Sequence, residues 1–382
     1  MLKISSLFTI YCSDRAISHI YFSLCQNWNY PDSQVRMVVP NCDPSCRGPN
    51  LVEAVPRYLK WLYYRSADRS RDVTEKRFLR DIKDFDAIYL WPNTSIETFR
   101  KVKQQSKPIF LERINCYTKH AKFIIDDASS RLGIAPQHKI TADMIQQEEE
   151  EIRFADFIFC PSPEVKKSFI GAGVPEHKLI LTSYGWSPKR FPHFLSDKPL
   201  SDTITVVFVG SVCVRKGAHL LLRAWEKAGI KGRLLLCGSM EPAIAETCTR
   251  ILARSDVIHR DYTSDIALAY READFFALPS LEEGDPKVTH EAMANGLPVL
   301  TSPMGAGSIA RDGKDGIIVS PYDEEALVTG LQQLAGCAEL RLRMSDSALG
   351  RALEFTWEKV ARRRAQLVLE RLKPAWKVRG KS

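Results

Sequence analysis

The sequence contains no hydrophobic run long enough to cross a membrane. A membrane-spanning helix needs about 20 mostly apolar residues, whereas the longest near-apolar runs, Ile204–Val209 and Leu234–Cys237, have the length of strands. The opening residues include a short apolar run, but Asp14 and Arg15 follow it and no small-residue cleavage site precedes them. We therefore expect a first β-strand there rather than a signal peptide, and not an integral membrane protein.

Cysteine pairs at the spacing of zinc ligands are also missing. The ten cysteines are scattered singly, and the one close pair, Cys42 and Cys46, has no second pair to complete a zinc site. We interpret them as free thiols in a reducing cytoplasm. Internal repeats are absent, and we interpret the acidic run Glu148–Glu151 as the solvated face of a helix.

Strong charge of either sign is absent too. The 382 residues carry a formal charge of +8, from 54 Lys and Arg against 46 Asp and Glu. Residues 341–382 contain twelve of the basic residues and four of the acidic ones. A basic C-terminal helix indicates an anionic neighbour without identifying it, and we expect its arginine row, Arg362–Arg364, to be exposed. No nucleic-acid-binding module accompanies this charge, so no nucleic-acid partner is expected.

Both halves of the chain alternate short β-branched or aromatic runs with longer amphipathic stretches. This alternation predicts parallel sheets covered by helices, an α/β fold. A proline-containing polar segment, 187–202, lacks periodicity and separates two predicted domains, 1–190 and 200–350, which a last helix, 355–372, follows. The predicted strands are Lys3–Tyr11, Val35–Val39, Ala87–Trp91, Pro108–Glu112, Phe157–Cys160, Leu179–Thr182, Ile204–Val209, Arg233–Cys237, Val257–His259, Phe275–Leu278, Pro298–Thr301 and Gly316–Val319. A helix is predicted over Asn50–Ser70.

The clearest local signal is the stretch VVFVGSVCVRKGAHLLLRAW. A strand ends before Gly210, a short loop ends at Lys216 and Gly217, and a helix follows. The free N–H groups of a helix start beside a lysine form a phosphate-binding arrangement. The alternative is an ordinary strand–turn–helix with a solvated lysine. The stretch matches neither the nucleoside-triphosphate loop nor the dinucleotide glycine motif, so those two phosphate sites are not predicted.

A second signal is the stretch LPSLEEGDPKVTHEAMANGLPVLTS. Glu283 in a loop and Glu291, eight residues later in a predicted helix, are expected to point toward the crevice at the carboxyl end of the sheet. Carboxylates there suit a hydroxyl-rich ligand, because each oxygen accepts a charge-assisted hydrogen bond from a diol. A metal site or a solvated loop is the alternative. Gly305, Gly307 and Ser308 form another loop at a strand end that a ligand can approach.

These residues resemble a known family. FVGSVCVRKG, ADFFALPSLEEGDPKVTHEAMANGLPV and RDGKDGIIVSP are similar to the nucleotide-binding half of the family 4 (group 1) glycosyltransferases. Residues 151–191 resemble the family's domain junction, and before residue 108 the likeness rests on fold alone. The resemblance implies a GT-B fold, with two doubly wound Rossmann-like domains facing a central cleft. It also implies retaining transfer of a hexose-type sugar from a nucleotide-sugar donor to a glycan or lipid-linked acceptor, with no metal or other cofactor.

The resemblance also implies roles for individual residues. Lys216 would neutralise the donor diphosphate, Glu291 would bind the ribose hydroxyls, and Glu283 would contact the transferred sugar near the reacting carbon. Ser211 stands where the family usually has an arginine, and Arg215 is an alternative phosphate contact. Asp285 stands where an aromatic or apolar residue is common. The predicted donor-binding residues are Gly210, Ser211, Arg215, Gly284, Asp285, Pro286, Lys287, Val288, Glu291, Gly307 and Ser308.

Cleft residues are also predicted in the first domain. FLERINCYTKHAKF resembles a stretch on the family's cleft wall, with Tyr117 at the position of the family's histidine. His120 either faces the cleft and bonds a sugar hydroxyl, as a third catalytic residue beside Lys216 and Glu283, or is a surface histidine. Arg113 is predicted to contact substrate. His290 is expected to pack or to be solvated.

The segment Pro56–Arg71 combines Trp61 and three tyrosines with four arginines and a lysine. A basic, aromatic helix of this kind would lie on an anionic membrane surface, at the inner face of the cell membrane. The alternative is an amphipathic helix with its apolar side in the core. For the whole protein, the alternative to an enzyme is a nucleotide-sugar- or carbohydrate-binding protein of the same fold.

Overall fold

The computed structural model describes residues 1–379 except 29, 60, 62–64, 192–202 and 262–265, and the side chains as far as Leu372. Within these residues the chain forms two parallel sheets. The first has seven strands in the order β3-β2-β1-β4-β5-β6-β7, and the second has six in the order β10-β9-β8-β11-β12-β13. The strands are β1 Leu2–Leu7, β2 Ser33–Val39, β3 Leu51–Glu53, β4 Ala87–Leu90, β5 Ile109–Glu112, β6 Phe157–Cys160, β7 Leu179–Leu181, β8 Ile204–Val209, β9 Gly232–Cys237, β10 Val257–Arg260, β11 Phe275–Leu278, β12 Val299–Thr301 and β13 Gly316–Ile318.

Helices follow most of the strands and cover the sheets, as the alternating pattern predicted. Strands β4, β5 and β11 are buried at every position, which explains their continuous apolar sequences. The α-helices are α1 Ala16–Gln26, α2 Ala67–Arg80, α3 Ile96–Gln104, α4 Thr118–Leu132, α5 Ala142–Phe154, α6 Pro163–Gly171, α7 Ala218–Ala228, α8 Pro242–Thr247, α9 Thr249–Leu252, α10 Ile266–Glu272, α11 Lys287–Ala294, α12 Pro303–Ala306, α13 Glu324–Gly336, α14 Ala338–Ala352 and α15 Trp357–Arg379.

The predicted strands are found with small shifts of their ends, except that β1 stops at Leu7 rather than Tyr11. The helix predicted over 50–70 is wrong in its first part. Leu51–Glu53 instead pairs with β2 at the edge of the first sheet, because three residues give too short a pattern to recognise. Ser66 is extended and its hydroxyl caps α2 by accepting from the Arg69 N–H, so one helix does not cover the aromatic, basic segment. Part of that segment lies outside the described residues.

The last helix returns to the first domain. Trp186 and Thr356 form a backbone bridge, and α15 packs on α1. Arg364 is fully buried, so the exposed arginine row predicted there is wrong for this residue. Its guanidinium donates to the buried Glu112 carboxylate and to the Tyr89 hydroxyl. The helix turns one residue in three or four toward the core, and Arg364 occupies such a position after the exposed Arg362 and Arg363.

In each sheet the strand order reverses beside the first strand. β1 pairs with both β2 and β4, and β8 pairs with both β9 and β11. At such a switch point the loops at the carboxyl ends of two neighbouring strands part in opposite directions and leave a crevice for a ligand. In the second sheet these are the loops 210–217 after β8 and 279–286 after β11.

Candidate functional site

The loops after β8 and β11 touch each other at Gly217. This residue has a φ of 68° and immediately precedes α7, and a Cβ atom there would lie 2.0 Å from the carbonyl oxygen of Pro279. Only glycine fits this backbone at this separation. The contact brings the Lys216 side chain against the loop that carries the predicted carboxylates.

Lys216 and Glu283, both predicted from sequence, form a buried ion pair. The ammonium donates to Glu283 Oε1, and the two residues are 9% and 8% exposed. The Lys216 side chain passes over Gly210. A Cβ atom at Gly210 would lie 3.1 Å from Lys216 Cε. Burial alone would raise the pKa of Glu283, but Lys216 and Arg215 outweigh burial and hold the pKa below its usual value. Glu283 is therefore an anion held beside a cation.

Arg215 adds a second cation to the same pair of loops. Its Nη1 donates to the Glu282 carbonyl at 2.8 Å and to the Glu282 carboxylate at 3.2 Å, and lies 3.3 Å from Glu283 Oε1. Burial raises the pKa of Glu282, and Arg215 offsets part of that rise. Glu282 is a neighbour that the sequence did not single out, since acidic residues in a loop are common. Two cations and two carboxylates thus face each other here.

The start of α7 differs from the predicted phosphate cradle. The N–H of Gly217 donates to the Val214 carbonyl at 2.9 Å, and that of Ala218 donates to the Cys213 carbonyl at 3.2 Å. The expectation of free N–H groups at this helix start is therefore wrong for these two residues, because the tight loop uses them. An anion at this place would depend chiefly on the Lys216 and Arg215 side chains and on the helix dipole.

Glu291 lies on α11, eight residues after Glu283, and accepts from the Tyr270 hydroxyl at 3.2 Å. Burial raises the pKa of Glu291, and Lys287 and Arg190 offset part of that rise. Burial also lowers the pKa of Lys287, one turn before it on the helix. The sequence reasoning missed Tyr270 because nothing in its local pattern distinguishes it from a core tyrosine. The Tyr270 hydroxyl also donates to the carbonyl of Val288 at 3.3 Å.

Asp285 connects the loops around the site. Its buried carboxylate accepts from the Tyr184 N–H at 2.7 Å and from the Ser308 N–H and hydroxyl at 2.8 and 2.9 Å, and it lies 3.1 Å from the His290 ring. Burial would raise the pKa of Asp285, but His290 and these N–H groups lower it overall. A Cβ atom at Gly307, whose φ is 59°, would lie 2.2 Å from this carboxylate. The Asp285 carboxylate thus binds protein groups, while His290 packs in the core beside it.

The loop 282–286 also meets the first domain. A Cβ atom at Gly284 would lie 1.6 Å from the carbonyl oxygen of Ile114, and the Cys116 thiol donates to Glu282 Oε1 at 3.4 Å. Pro286 is the residue before α11. Two expectations stay predictions here. One is that the backbone from Gly284 to Lys287 contacts a sugar, and the other is that Val288 contacts substrate.

Three of the remaining predicted residues lie in different surroundings. Arg113 is buried between Glu148 at 3.2 Å and Glu151 at 3.1 Å. Its charge is thus matched inside the first domain, and the predicted substrate contact stays a prediction. The interpretation of Glu148–Glu151 as a solvated face is wrong for these two glutamates, since both are buried. His120 is exposed on the first turn of α4, and Ser211 is exposed after β8, and their predicted roles stay predictions.

Closely spaced aspartates often bind metal ions, but the aspartates in two such places in the first domain bond to groups of the protein. Asp86 accepts from the Lys3 N–H, Asp126 pairs with Lys122, and Asp127 pairs with Arg131. Across the part of the chain that the structure describes, no three His, Cys, Asp or Glu residues are grouped so as to hold a metal ion. Among the same residues no helix is both long enough and apolar enough to span a bilayer.

Comparison with solved structures identifies the fold. The chain superposes on Anabaena HepE in complex with UDP and glucose with a TM-score of 0.68 at 14% identity, covering 97% of this chain and 100% of that one. Sucrose-phosphate synthase from Thermosynechococcus elongatus gives a TM-score of 0.70 at 18% identity, covering 98% and 100%. The lipopolysaccharide outer core galactosyltransferase WaaB gives 0.66 at 15%, covering 97% and 100%. These likenesses and the two facing Rossmann-like sheets define the GT-B fold, as predicted.

Comparison of sequences gives a family match over part of the chain. Residues 203–336 match the family model described as "Glycosyl transferases group 1". D-inositol 3-phosphate glycosyltransferase from Corynebacterium kroppenstedtii is 32% identical over 43% of this chain and 40% of that relative. The chain thus aligns with about two fifths of the length of the curated relatives it matches. Residues 203–336 match this family's model, so the family resemblance expected from the motifs is confirmed for that part of the chain.

Proposed function

We propose that this protein transfers a hexose-type sugar from a nucleotide-sugar donor to a glycan or lipid-linked acceptor, with retention of anomeric configuration and without a metal ion. The observation that carries the proposal is the buried pair of Lys216 and Glu283 at the switch point of the second sheet, with Glu291 eight residues on. The group 1 family match over the same residues supports it. UDP is the first donor nucleotide to test, because HepE was solved with UDP.

In this proposal the site exchanges one anion for another. Without donor, Lys216 and Arg215 are matched by the carboxylates of Glu283 and Glu282. A donor diphosphate takes the place of the Glu283 carboxylate beside Lys216, and Glu283 turns to the sugar near the reacting carbon. Lys216 and Arg215 then stabilise the negative charge that develops on the leaving diphosphate. Fixed positive groups at such a position are each worth about 3–4 kcal/mol of barrier lowering.

At the other end of the donor, Glu291 is placed to bind the ribose. Its carboxylate is half-buried on α11 and already accepts from Tyr270. A vicinal diol offers two donors in the spacing that one carboxylate accepts. In this proposal the sugar-binding Glu283 and the ribose-binding Glu291 contact the donor on either side of its diphosphate.

Substitution of Lys216 tests the proposal directly. We expect Lys216→Ala to lower donor turnover by about 100-fold or more, because the leaving group loses its principal cation. Lys227→Ala is the matched control, since Lys227 lies on α7 as an exposed side chain paired with Glu324. Release of nucleoside diphosphate is measured with UDP-glucose and GDP-mannose, with unfolding temperatures to confirm that both variants fold. Near-normal turnover in Lys216→Ala would refute the site.

The same assay separates an enzyme from a binding protein. A transferase releases nucleoside diphosphate slowly even without acceptor, whereas a protein that only binds donor gives saturable binding and no release. A panel of nucleotide sugars in a thermal-shift assay selects the donor, since a ligand at 100 times its Kd stabilises the folded protein by about 2.7 kcal/mol. Product anomeric configuration by NMR tests retention, and unchanged activity with a chelator tests metal independence.

For location, we propose a cytoplasmic protein that touches the inner face of an anionic membrane. Tyr58 and Trp61 are 78% and 53% exposed beside Arg57 and Arg65. Exposed aromatic rings among arginines are typical of surfaces that lie in the headgroup region. Sedimentation with vesicles of anionic lipid at low salt tests this, and a protein that stays in the supernatant would refute it.

A further inference from the structure

A groove of about 710 Å³ lies beside β3, the outermost strand of the first sheet. One wall is the segment that follows β3, and the other is the start of α2. Because the segment leaves β3 at its carboxyl end, the groove lies at the edge of the sheet where ligands bind in parallel α/β folds. Its volume is within the range of about 300–1,000 Å³ that small-molecule sites occupy.

The walls of this groove are apolar, and each wall exposes a large side chain. Trp61 on the first wall is 53% exposed, and Val73 on α2 is 44% exposed. Leu59 and the buried Val55 add to the first wall. Apolar side chains gathered at one place in water indicate a binding surface, whereas single exposed ones are ordinary. A hydrocarbon chain in the groove would remove this surface from water, which is favourable in proportion to the area covered.

The charges at the groove are positive. Arg65 and Arg69 line it, and none of the described lining residues is acidic. The Arg65 guanidinium lies 5.7 Å from the centroid of the Trp61 ring, so a positive charge is held against the apolar wall. Asp68, beside Arg69 in the sequence, pairs with Arg71 at 3.3 Å. The groove thus combines apolar walls with two cations, which is the complement of an apolar chain that ends in an anionic group.

An anionic lipid matches this combination better than other ligands do. A free phosphate or a nucleotide would leave the apolar walls in water, and a neutral hydrocarbon would leave the two arginines unused. Trp61 also belongs to the surface proposed to touch an anionic membrane, so lipid molecules are available at the groove. A lipid chain that enters it gains the burial of apolar surface, while the headgroup keeps its contact with water and with the arginines.

We propose that this groove binds one hydrocarbon chain of an anionic, phosphate-bearing lipid, with the chain between Trp61 and Val73 and the phosphate at Arg65 and Arg69. The inference rests on the proposed membrane contact and deepens it, from a surface that adsorbs to lipid to a site for a single lipid molecule. Such a site would hold the lipid at the same edge of the first sheet as that domain's other ligand-binding loops.

Decyl phosphate below its micelle concentration is the probe. Decyl maltoside has the same chain without the charge, and inorganic phosphate has the charge without the chain. We expect saturable 1:1 binding of decyl phosphate by calorimetry, about tenfold or more tighter than that of either comparison probe. Val73→Asp should weaken it about tenfold or more, because a carboxylate on the wall repels the phosphate and interrupts the apolar surface. The matched control is Leu342→Asp, since Leu342 is an exposed apolar residue of α14 in the second domain, and it should leave the affinity within twofold.

The double variant Arg65→Gln, Arg69→Gln tests the headgroup separately. It should weaken decyl phosphate and leave decyl maltoside unchanged, since only the charged contact is lost. No saturable binding of decyl phosphate, or equal affinities in Val73→Asp and Leu342→Asp, would overturn the proposal. Dimerisation that Val73→Asp abolishes would assign the groove to a second copy of the chain and overturn it as well. A protein that sediments with anionic vesicles but does not bind decyl phosphate would refute the groove and keep the membrane contact, whereas the reverse result would refute the membrane contact alone.

Discussion

Replacement of Arg364 by methionine should destabilise the protein strongly. The guanidinium is fully buried and pairs with Glu112, which accepts a further hydrogen bond from the Tyr184 hydroxyl at 3.1 Å. Breaking a buried pair by removing one partner typically costs about 3–5 kcal/mol, because the other charge stays buried. The tyrosine hydroxyl still solvates Glu112 in the variant, so we expect about 3 kcal/mol.

The loss should depend on pH. Burial raises the pKa of Glu112, and Arg364 offsets part of that rise. Without the arginine the folded-state pKa rises further, and the stability that such a group contributes is complete below its unfolded pKa and is lost as the pH rises through the folded value. The difference in free energy of unfolding between the unchanged protein and Arg364→Met should therefore become smaller as the pH falls from 8 to about 5.

Urea unfolding followed by circular dichroism measures both effects. Arg363→Met is the matched control, since this neighbour on α15 is exposed, and it should change the free energy of unfolding by less than about 0.5 kcal/mol. If Arg364→Met lowered the free energy of unfolding by less than about 1 kcal/mol, no more than the control does, the pair would be solvated and the reasoning would be refuted. A deficit that grows at low pH would contradict the argument about Glu112.

Three further predictions concern the site and its supports. Glu283→Gln should bind UDP about tenfold more tightly by calorimetry while its turnover falls, since the lysine beside it is released for the diphosphate. Glu291→Ala should weaken UDP binding about tenfold with little change in the unfolding temperature, because a charge-assisted pair of hydrogen bonds to the ribose is lost. Gly284→Ala should lower turnover and weaken the contact between domains, since its Cβ would lie 1.6 Å from the Ile114 carbonyl oxygen; limited proteolysis and kinetics measure both.

Each of these has an outcome that would contradict it. Weaker UDP binding by Glu283→Gln would mean that the carboxylate does not compete with the diphosphate. Equal losses of affinity for UDP and for uracil in Glu291→Ala would point to the base rather than the ribose. Unchanged kinetics and proteolysis in Gly284→Ala would show that the two domains do not meet at this loop in solution.

Motifs in the sequence determined the fold class and the principal pair of the site. The strand patterns of the second half are found with ends shifted by at most one residue, because strands such as β8 and β11 are almost completely buried and read as short apolar runs. Lys216 and Glu283 follow strands that are neighbours in the sheet, so their loops had to meet at its carboxyl edge.

Tertiary contacts decided the features that local patterns do not contain. Glu148 and Arg364 are charged residues within polar stretches of helix, and their partners, Arg113 and Glu112, are distant in sequence. Periodicity assigns such residues to solvent, since burying a charge is unfavourable until its partner is known. In the same way, the Tyr270 hydroxyl reaches Glu291 only because the fold packs their two helices together. A sequence pattern reports what each residue prefers alone, whereas the partner that permits an exception is supplied only by the fold.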